Sequence, residues 1–293
     1  MSTAPTFLVT GAAGHLGRLT VEHLLAAKSG KVIAASRDPA KLADLAAKGV
    51  ETRRADFDDS ASLDTAFKGV DRLLIISTDS VVEPGKRLRQ QKAAVEAAAR
   101  ARVGHVVYTS MLNPEPGSLI PFAPDHYETE QALAKSGLAH TILRVSWYAE
   151  NLLRSLPSIL PSGKWHSSAG NGRVANVARN DVARAAAAAL AKTPGGKFDI
   201  TGPDLLTTRQ IAAIVAAVFG KSVEVVPVGD EQLLAGMIAA GVPKAFAELG
   251  VAFDANTLAG KVDVISDAVL KLTGRPPESL RDILAANKTA LAA

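Results

Sequence analysis

Thr10-Gly11-Ala12-Ala13-Gly14-His15-Leu16-Gly17 contains three glycines spaced three residues apart. A short apolar run at residues 7–10 leads into it, and leucines recur at helical spacing after it, so the glycines join a buried strand to a helix. Glycines in this position let the backbone turn tightly and approach a pyrophosphate, whose charge the helix N-terminus stabilises. The stretch predicts a dinucleotide-binding turn, although a merely tight strand–helix turn uses the same glycines.

The first half of the chain repeats this alternation of short apolar runs and helical patterns. Strands are predicted at residues 7–10, 31–35, 51–55, 72–76, 103–108 and 140–144. Because helical patterns separate them, consecutive strands run parallel and are joined by right-handed crossovers. The run from Arg72 to Ile76 is the most apolar and is expected at the sheet centre. The predicted fold class is α/β, a Rossmann-like, doubly wound parallel sheet.

The sequence pattern changes from Asn151 onward. Prolines and glycines interrupt the chain as far as residue 172 and predict loops with short strands. An alanine-rich helix follows to Ala191, then strands at residues 198–201 and 222–228 among further helices, the last at residues 279–290. We expect residues 1–150 to form the NAD(P)-binding domain. Residues 151–293 would form a smaller, mostly helical, substrate-binding lobe interleaved with it.

Three helix starts are predicted from their capping side chains. They are Asp38 before a proline, a capping box of Asp125 with Glu128, and Asn180-Asp181 before the alanine-rich helix. Such side-chain oxygens accept hydrogen bonds from first-turn amides. A capping role for Asp38 leaves the preceding residue, Arg37, available for another partner.

Charge and cysteine content exclude several classes of protein. The 293 residues include 33 Lys+Arg and 29 Asp+Glu, a net charge of +4, with 47% hydrophobic residues and no cysteine. This composition favours a large folded core and excludes disulfides, cysteine–zinc sites and a cysteine nucleophile. The basic clusters, including residues 86–89, lack interleaved aromatics. We interpret them as solvated faces, so no nucleic-acid partner is expected.

Targeting and membrane signals are absent from the sequence pattern. No basic region precedes the first apolar run, and the longest stretch of small apolar residues, 185–191, is far too short to span a bilayer. We therefore expect a cytoplasmic protein with no membrane partner. A homodimer is compatible with the sequence, but no helix is so apolar on its outer face that it requires one.

Arg37 bears on the choice of cofactor. It follows the second predicted strand, where an acidic residue would bind the ribose 2′-hydroxyl and an arginine suits a 2′-phosphate. With Asp38 assigned to the helix cap, Arg37 favours NADPH over NADH. The alternative is a surface arginine near a helix start.

The glycine spacing differs from the G-x-G-x-x-G of ordinary dehydrogenases and resembles that of extended and atypical short-chain dehydrogenase/reductases. Further segments narrow the resemblance: residues 36–42, 55–59, 75–78, 108–110, 143–151 and 273–277. Together they resemble the NmrA-like group, and within it the type 2 NADPH-dependent quinone oxidoreductases and the triphenylmethane reductases. The resemblance covers nearly the whole chain. Its most specific part is Trp147-Tyr148-Ala149-Glu150-Asn151.

The resemblance implies an NADPH site along the carboxyl edge of the sheet. The loop Gly11–Gly17 would hold the pyrophosphate and Arg37 the 2′-phosphate. The remaining implied contacts are Asp56 and Phe57 at the adenine, Ser77 and Thr78 at the nicotinamide ribose, and Thr109-Ser110 and Val145-Ser146 on the same edge. Each polar residue taken singly suits a strand cap equally well, so their convergence on one edge is the argument.

The Tyr-x-x-x-Lys pair of ordinary short-chain dehydrogenases is missing. The residues four positions after the three tyrosines are Leu112, Gln131 and Leu152. A conventional carbonyl reductase or sugar epimerase therefore lacks its acid–base pair, which contributes about 10²–10⁴-fold in rate. A quinone or a cationic dye needs no such pair. Water can protonate the hydroquinone anion, and a triarylmethyl cation that receives a hydride needs no proton. The cofactor would carry the chemistry and the protein would supply orientation and a dry pocket.

Substrate-pocket candidates are His126, Trp147 and Tyr148. His126 and Glu130 share a helix face. They could act as a proton-donating pair or form half of a metal site, or His126 could be an ordinary helix residue beside a solvated carboxylate. No third ligand stands at metal-site spacing, so no metal is expected. Trp147 and Tyr148 would stack on a planar acceptor or pack between lobes. Asn151 would orient the nicotinamide amide or cap the following helix.

The leading functional interpretation is an NADPH-dependent reductase of quinones or similar planar small molecules. A cationic dye reductase is an alternative within the same class. A non-catalytic NADP-sensing regulator of the NmrA type is an alternative from another class, since it too would lack the catalytic pair. A nucleotide-sugar epimerase is disfavoured by the missing pair.

Overall fold

The computed structural model of the chain describes residues 4–289. Its strands are β1 (Thr6–Val9), β2 (Lys31–Ser36), β3 (Glu51–Arg54), β4 (Arg72–Ile75), β5 (His105–Met111), β6 (His140–Val145), β7 (Lys164–Ser167), β8 (Arg173–Val174), β9 (Gly196–Ile200), β10 (Leu206–Thr207) and β11 (Glu224–Pro227). Its helices are α1 (His15–Ala26), α2 (Ala43–Ala47), α3 (Ser60–Phe67), α4 (Lys86–Arg100), α5 (Ala123–Lys135), α6 (Ala149–Leu153), α7 (Leu156–Ser162), α8 (Arg179–Lys192), α9 (Thr208–Phe219), α10 (Asp230–Ala239), α11 (Lys244–Leu258), α12 (Ala268–Thr273) and α13 (Leu280–Ala286). Residue 290, the predicted end of the last helix, lies outside the described residues.

Seven strands form the main sheet in the order β3-β2-β1-β4-β5-β6-β9. Every pairing in it is parallel. The predicted doubly wound α/β fold is confirmed, and the apolar strand β4 is the central strand, as expected. Because β1 lies between β2 and β4, the chain direction across the sheet reverses there, and ligands of such sheets bind in the crevice at that point.

Alternate residues of the central strands serve two different cores. Phe7 and Val9 point into a cluster with α1 and α8, whereas Leu8 points into the cluster on the opposite face with α3, α4 and α5. Both faces of the sheet are thus covered by helices, which explains why its strands read as continuous apolar runs. On the first face, buried alanines of α8 lie against α1, because small side chains allow two helices to approach closely.

The rest of the second half forms its own cluster beside the carboxyl edge of the sheet. Side chains of α6, α7, α9 and α13 meet there, next to the small sheets β8–β10 and β7–β11. Two elements beyond residue 150 nevertheless belong to the main layers: α8 covers one face and β9 is the seventh strand. Within residues 4–289, no helix combines the length and apolar character needed to cross a membrane.

The predicted start of α5 is wrong. Ala123 donates its N–H to the Ile120 carbonyl (3.0 Å), so α5 begins before Asp125 and has no capping box. Pro124 in the first turn has no N–H that needs a partner.

Residues 156–162 are predicted as loop because of their prolines, but they form helix α7. Pro157 lies in the first turn of α7, where a helix does not require an N–H.

The predicted Asn180-Asp181 cap is also wrong. The helix α8 begins at Arg179, whose N–H donates to both carboxylate oxygens of Glu150 (2.9 and 3.2 Å). Asp181 instead accepts from the Glu278 backbone N–H (2.7 Å) and pairs with Arg184. The cap thus comes from a residue 29 positions earlier in the chain, which local sequence does not reveal.

A buried ion cluster ties the strands whose ends face the crevice. Glu130 of α5, 1% exposed, accepts hydrogen bonds from Arg144 of β6 (2.6 and 3.0 Å) and from Ser110 of β5 (2.7 Å). Lys197 of β9 approaches the same carboxylate at 3.0 Å. Burial by itself raises the pKa of the Glu130 carboxyl, but the hydrogen bonds it accepts, chiefly from Arg144, outweigh burial and leave its pKa below the usual value.

Glu130→Gln should destabilise the fold by about 3 kcal/mol, because Arg144 would lose its buried counterion. The native pKa of Glu130 is lowered, so its stabilisation is complete above the unfolded value of about 4.3 and is lost as pH falls through the native pKa. The variant should therefore lose less stability than wild type on acidification. Denaturant unfolding from neutral to acidic pH measures both effects.

Glu115→Gln is the matched control, because Glu115 is a half-exposed partner of the same Arg144 (2.6 Å). Its loss should cost less than about 1 kcal/mol, as expected for a solvent-screened pair. Equal destabilisation by the two substitutions would contradict the assignment of Glu130 as the centre of the cluster.

Candidate active site

The loop after β1 is fastened to the two neighbouring strands. The Thr10 hydroxyl donates to the Leu74 carbonyl (2.9 Å) and accepts from the Ile76 N–H (3.0 Å), which joins the loop to the end of β4. On the other side, the Ala12 N–H donates to the Ala35 carbonyl of β2 (3.0 Å). The loop therefore lies at the reversal point of the sheet, with its position fixed from both sides.

Each glycine of the loop has a separate steric reason. Gly11 adopts a left-handed φ of +61°, which favours glycine. Gly14 is the N-cap residue of α1, and its N–H donates to the Gly11 carbonyl (2.9 Å). At Gly17, a Cβ atom would lie 2.4 Å from the Gly11 carbonyl oxygen and 2.8 Å from the Ala12 Cα. A side chain there would push α1 away from the loop.

The N-terminus of α1 is open to an anion. Among the described residues, no side chain caps it, and its first turn contains no acidic residue. Ala12 and Leu16 face the core, so the loop offers backbone amides rather than side chains, apart from the exposed His15. Free first-turn amides and the helix dipole together suit the pyrophosphate of a dinucleotide.

Arg37 lies exposed just beyond the end of β2, with no ion pair to any of residues 4–289. Its neighbour Asp38 accepts a hydrogen bond from the Ala40 N–H (3.1 Å) and caps the 3₁₀ turn Pro39–Leu42. The predicted capping role of Asp38 is confirmed. The guanidinium of Arg37 remains available for a ligand at this end of the crevice.

The two residues expected at the adenine have different surroundings. Asp56 contacts Arg54 (3.1 Å) and accepts from the Asp58 N–H (3.1 Å). Phe57 is 9% exposed and packs in the core with α3 and α4. Asp56 therefore presents a polar side chain at the end of β3. The Phe57 side chain is packed in the core, so mainly its backbone is available to a ligand.

The ends of β4, β5 and β6 bring the remaining predicted contacts together. The Ser77 N–H donates to the Thr109 hydroxyl (2.9 Å), which in turn donates to the Ser77 hydroxyl (3.4 Å). The Val145 carbonyl accepts from the Leu112 N–H (3.3 Å), so the parallel pairing of β5 with β6 continues to the end of both strands. Ser110 points away from this edge and binds Glu130 instead.

Several buried polar atoms at this edge have no hydrogen-bond partner within residues 4–289. They are Thr78 Oγ1, Ser146 Oγ, Trp147 Nε1 and Asn176 Oδ1. An unsatisfied buried polar atom costs about 1–3 kcal/mol, so a group of them in one crevice indicates a ligand that satisfies them. Thr78 and Ser146 follow β4 and β6, on the same edge of the sheet as the open α1 N-terminus, which fits a dinucleotide.

Aromatic side chains line the crevice next to these atoms. The rings of Trp147 and Phe253 lie 4.7 Å apart between centroids, and those of Phe122 and Phe253 lie 6.3 Å apart. Met111 at the end of β5 belongs to the same cluster. We call Phe122, Trp147 and Phe253 the aromatic cluster. It provides an apolar surface suited to a flat ring.

Tyr148 and Asn151 both contact Arg179. The guanidinium of Arg179 lies 4.8 Å from the centre of the Tyr148 ring, and its Nη2 donates to Asn151 Oδ1 (2.8 Å). Asn151 lies inside α6, and the N-cap residue of the following helix is Ser155, so its alternative capping role is wrong. Burial raises the pKa of Tyr148 to about 12, which keeps it protonated.

His126 is buried and lies between two other side chains. Its Nε2 lies 2.7 Å from Arg87 Nη2 and its Nδ1 lies 2.9 Å from the Tyr108 hydroxyl. Burial lowers the pKa of His126 well below its ordinary value, and the charge of Arg87 lowers it further. The imidazole is therefore neutral and is not paired with Glu130. Within residues 4–289, no group of three potential metal-ligating acidic or histidine residues occurs.

Sequence reasoning missed three residues of this region: Arg87, Asn176 and Phe253. Arg87 was expected on a solvated face, but it is 6% exposed, so that prediction is wrong. Helical spacing was the available signal, because Arg87, Gln91 and Ala94 share the buried face of α4. Asn176 and Phe253 reach the crevice through distant parts of the chain, which no local pattern reports.

Comparison with known proteins agrees with this geometry. The model of a family described as NAD(P)H-binding matches residues 11–193. Quinone oxidoreductase 2 of Escherichia coli is 34% identical over 94% of this chain and 96% of its own length.

Two solved structures of relatives share the fold over nearly the whole chain. The NADPH complex of the E. coli NADPH-dependent quinone oxidoreductase QOR2 is similar with a TM-score of 0.90 and 34% identity, over 96% of this chain and 99% of that one. The NADP(H) complex of Citrobacter sp. triphenylmethane reductase has a TM-score of 0.89 and 33% identity, over 96% and 99%. With the glycine loop at the reversal point of its sheet, the chain belongs to the NAD(P)H-binding family, in the NmrA-like group of atypical short-chain dehydrogenase/reductases.

Proposed function

We propose that this chain is an NADPH-dependent oxidoreductase that transfers hydride to a quinone or a similar planar electron acceptor. One observation carries the proposal: buried polar atoms without partners, an open helix N-terminus and the aromatic cluster all meet at one edge of the sheet. The first two features suit a dinucleotide and the third suits a flat ring beside it. The likeness to quinone oxidoreductase 2 over nearly the whole chain supports the same reaction.

Each part of the crevice has a role toward the cofactor in this proposal. The amides of Gly11–Gly17 bind the pyrophosphate, Arg37 binds the 2′-phosphate, and Asp56 with Phe57 borders the adenine. The nicotinamide end is bordered by Ser77, Thr78, Thr109, Val145 and Ser146. The unpartnered hydroxyls of Thr78 and Ser146 support this assignment, because a bound nicotinamide nucleotide offers oxygen and nitrogen partners for both. Asn151 Oδ1 accepts from Arg179, which fixes the side chain at the α6–α8 junction and leaves its Nδ2 group to orient the nicotinamide amide.

The two halves of the chain divide the work in the same proposal. Residues 1–150 supply the nucleotide platform, and residues 151–293 supply the substrate-binding lobe, with α8 and β9 completing the platform. Phe253 of α11, in contact with Trp147, supports this division because it places a residue of the second half in the aromatic cluster.

No protein acid is required by this reaction. NADPH, when bound, supplies the hydride, and the protein orients the acceptor and excludes water. Tyr108 is fully buried, and burial raises its pKa, so it is not a ready proton donor. His126 is neutral and hydrogen-bonded on both ring nitrogens. An acceptor whose reduced anion takes its proton from water matches these groups.

NADPH oxidation by the purified protein with a panel of soluble quinones tests the proposal, with cationic triphenylmethane dyes in the same assay. We expect turnover with quinones and none without an acceptor. Absence of turnover with every acceptor, together with equal affinity for NADP⁺ and NADPH, would overturn it in favour of a nucleotide-sensing regulator.

Arg37→Ala should weaken NADPH binding about tenfold or more, because a charge-assisted bond to the 2′-phosphate is lost. NADH binding should not change, since NADH lacks that phosphate. Titration of both reduced cofactors by fluorescence measures the difference. Arg209→Ala is the control, as Arg209 is also exposed and lies on α9. Equal losses for NADPH and NADH would contradict the assignment of Arg37.

A further inference from the structure

Arg87 is a buried cation at an unfavourable position. It is 6% exposed and lies in the first turn of α4, where the helix dipole disfavours positive charge. Within residues 4–289, no carboxylate lies within ion-pair distance of it, and Asp125 and Asp79 favour its charge only from farther away. A buried charge without a contact counterion is expensive, so the fold retains this one against a substantial cost.

Hydrogen bonds fix the orientation of this guanidinium. Arginine only donates, so His126 Nε2 is the acceptor at 2.7 Å, and the ring proton must lie on Nδ1. Nδ1–H then donates to the Tyr108 hydroxyl (2.9 Å), which donates to Gln91 Oε1 (3.2 Å). Gln91 Nε2 donates in turn to the Thr129 hydroxyl (3.0 Å). The complete chain has one consistent direction and holds Arg87 in place.

The guanidinium still has donor capacity beside the aromatic cluster. Its Nε is buried and has no hydrogen-bond partner among the described residues, and its central carbon lies 4.8 Å from the centre of the Phe122 ring. Across the cluster, Trp147 Nε1 is a second buried donor without a partner. Phe253 contacts both aromatic rings and connects the two donors. The arrangement offers a flat surface with hydrogen-bond donors at its margins.

We propose that Arg87 binds an oxygen of the electron acceptor and makes the site select planar acceptors that carry or develop negative charge. The inference rests on the proposed function and specifies its substrate class. When a quinone receives a hydride, two electrons and one proton enter it and the nicotinamide is oxidised. Negative charge then develops on a quinone oxygen, and one proton from water neutralises that oxygen to give the hydroquinone. Arg87 stabilises that charge, and it disfavours an acceptor that is already cationic.

Three acceptors of different charge test the proposal: a neutral naphthoquinone, the matching naphthoquinone sulfonate and a cationic triphenylmethane dye. Arg87→Gln should lower kcat/KM for both quinones by about ten- to a hundredfold, as for loss of a charge-assisted hydrogen bond. The dye should be unaffected or reduced faster. Arg87→Lys should restore part of the preference for the sulfonate. Arg89→Gln, the same change at an exposed residue of α4, should alter none of these values.

Binding of the naphthoquinone sulfonate to the NADP⁺-saturated protein is also measured by calorimetry. This measurement tests the role of Arg87 even if no acceptor is reduced. Weaker binding in Arg87→Gln alone supports Arg87 as the acceptor ligand. An equal loss for all three acceptors would overturn the inference, because it indicates a purely structural arginine. A selective loss of NADPH affinity would overturn it as well, in favour of a cofactor contact. Absence of turnover in wild type with intact sulfonate binding would instead reject only the proposed reaction.

Discussion

The close approach of α1 to the loop after β1 is the constraint on which the rest of the site depends. A Cβ at Gly17 would lie 2.4 Å from the Gly11 carbonyl oxygen, so only glycine lets the helix begin directly over the end of the strand. This contact aims the first-turn amides of α1 at the crevice. The hydrogen bonds of Thr10 and Ala12 then hold this loop between the ends of β2 and β4, on the edge of the sheet where the other polar groups lie.

Two buried arginines illustrate how charge is used around that crevice. Arg144 is neutralised by Glu130 and Glu115 and ties β6 to the helix that covers it. Arg87 has no such partner and faces the aromatic cluster. The first stabilises the strands that carry the site, and the second leaves a positive charge for a ligand. The chain has no cysteine and no Tyr-x-x-x-Lys pair. Its chemistry therefore depends mainly on positioned charges and on the bound nucleotide.

The sequence predicted what local patterns determine. Glycine spacing located the turn between β1 and α1, alternating apolar runs predicted the parallel sheet with β4 at its centre, and the proline after Asp38 identified its cap. It failed where distant residues decide: Glu150 caps α8 from 29 positions away, and Phe253 reaches Trp147 from the other end of the chain. Arg87 and Arg89 are both arginines and lie only two residues apart in α4. They differ in the face of the helix on which they lie: Arg87 is buried and is a candidate ligand, whereas Arg89 is a surface charge.

We infer that the close approach of α1 at Gly17 builds the nucleotide site. Fluorescence titration of NADPH into Gly17→Ala tests it most directly, with Gly236→Ala as the control, since a Cβ at Gly236 in α10 meets no atom within 4 Å. Thermal unfolding of both variants verifies that they remain folded. We expect Gly17→Ala to lose at least about tenfold in NADPH affinity, equivalent to about 1.4 kcal/mol, and Gly236→Ala to bind as wild type does. A folded Gly17→Ala variant with unchanged affinity for NADPH would show that this approach is not required for nucleotide binding.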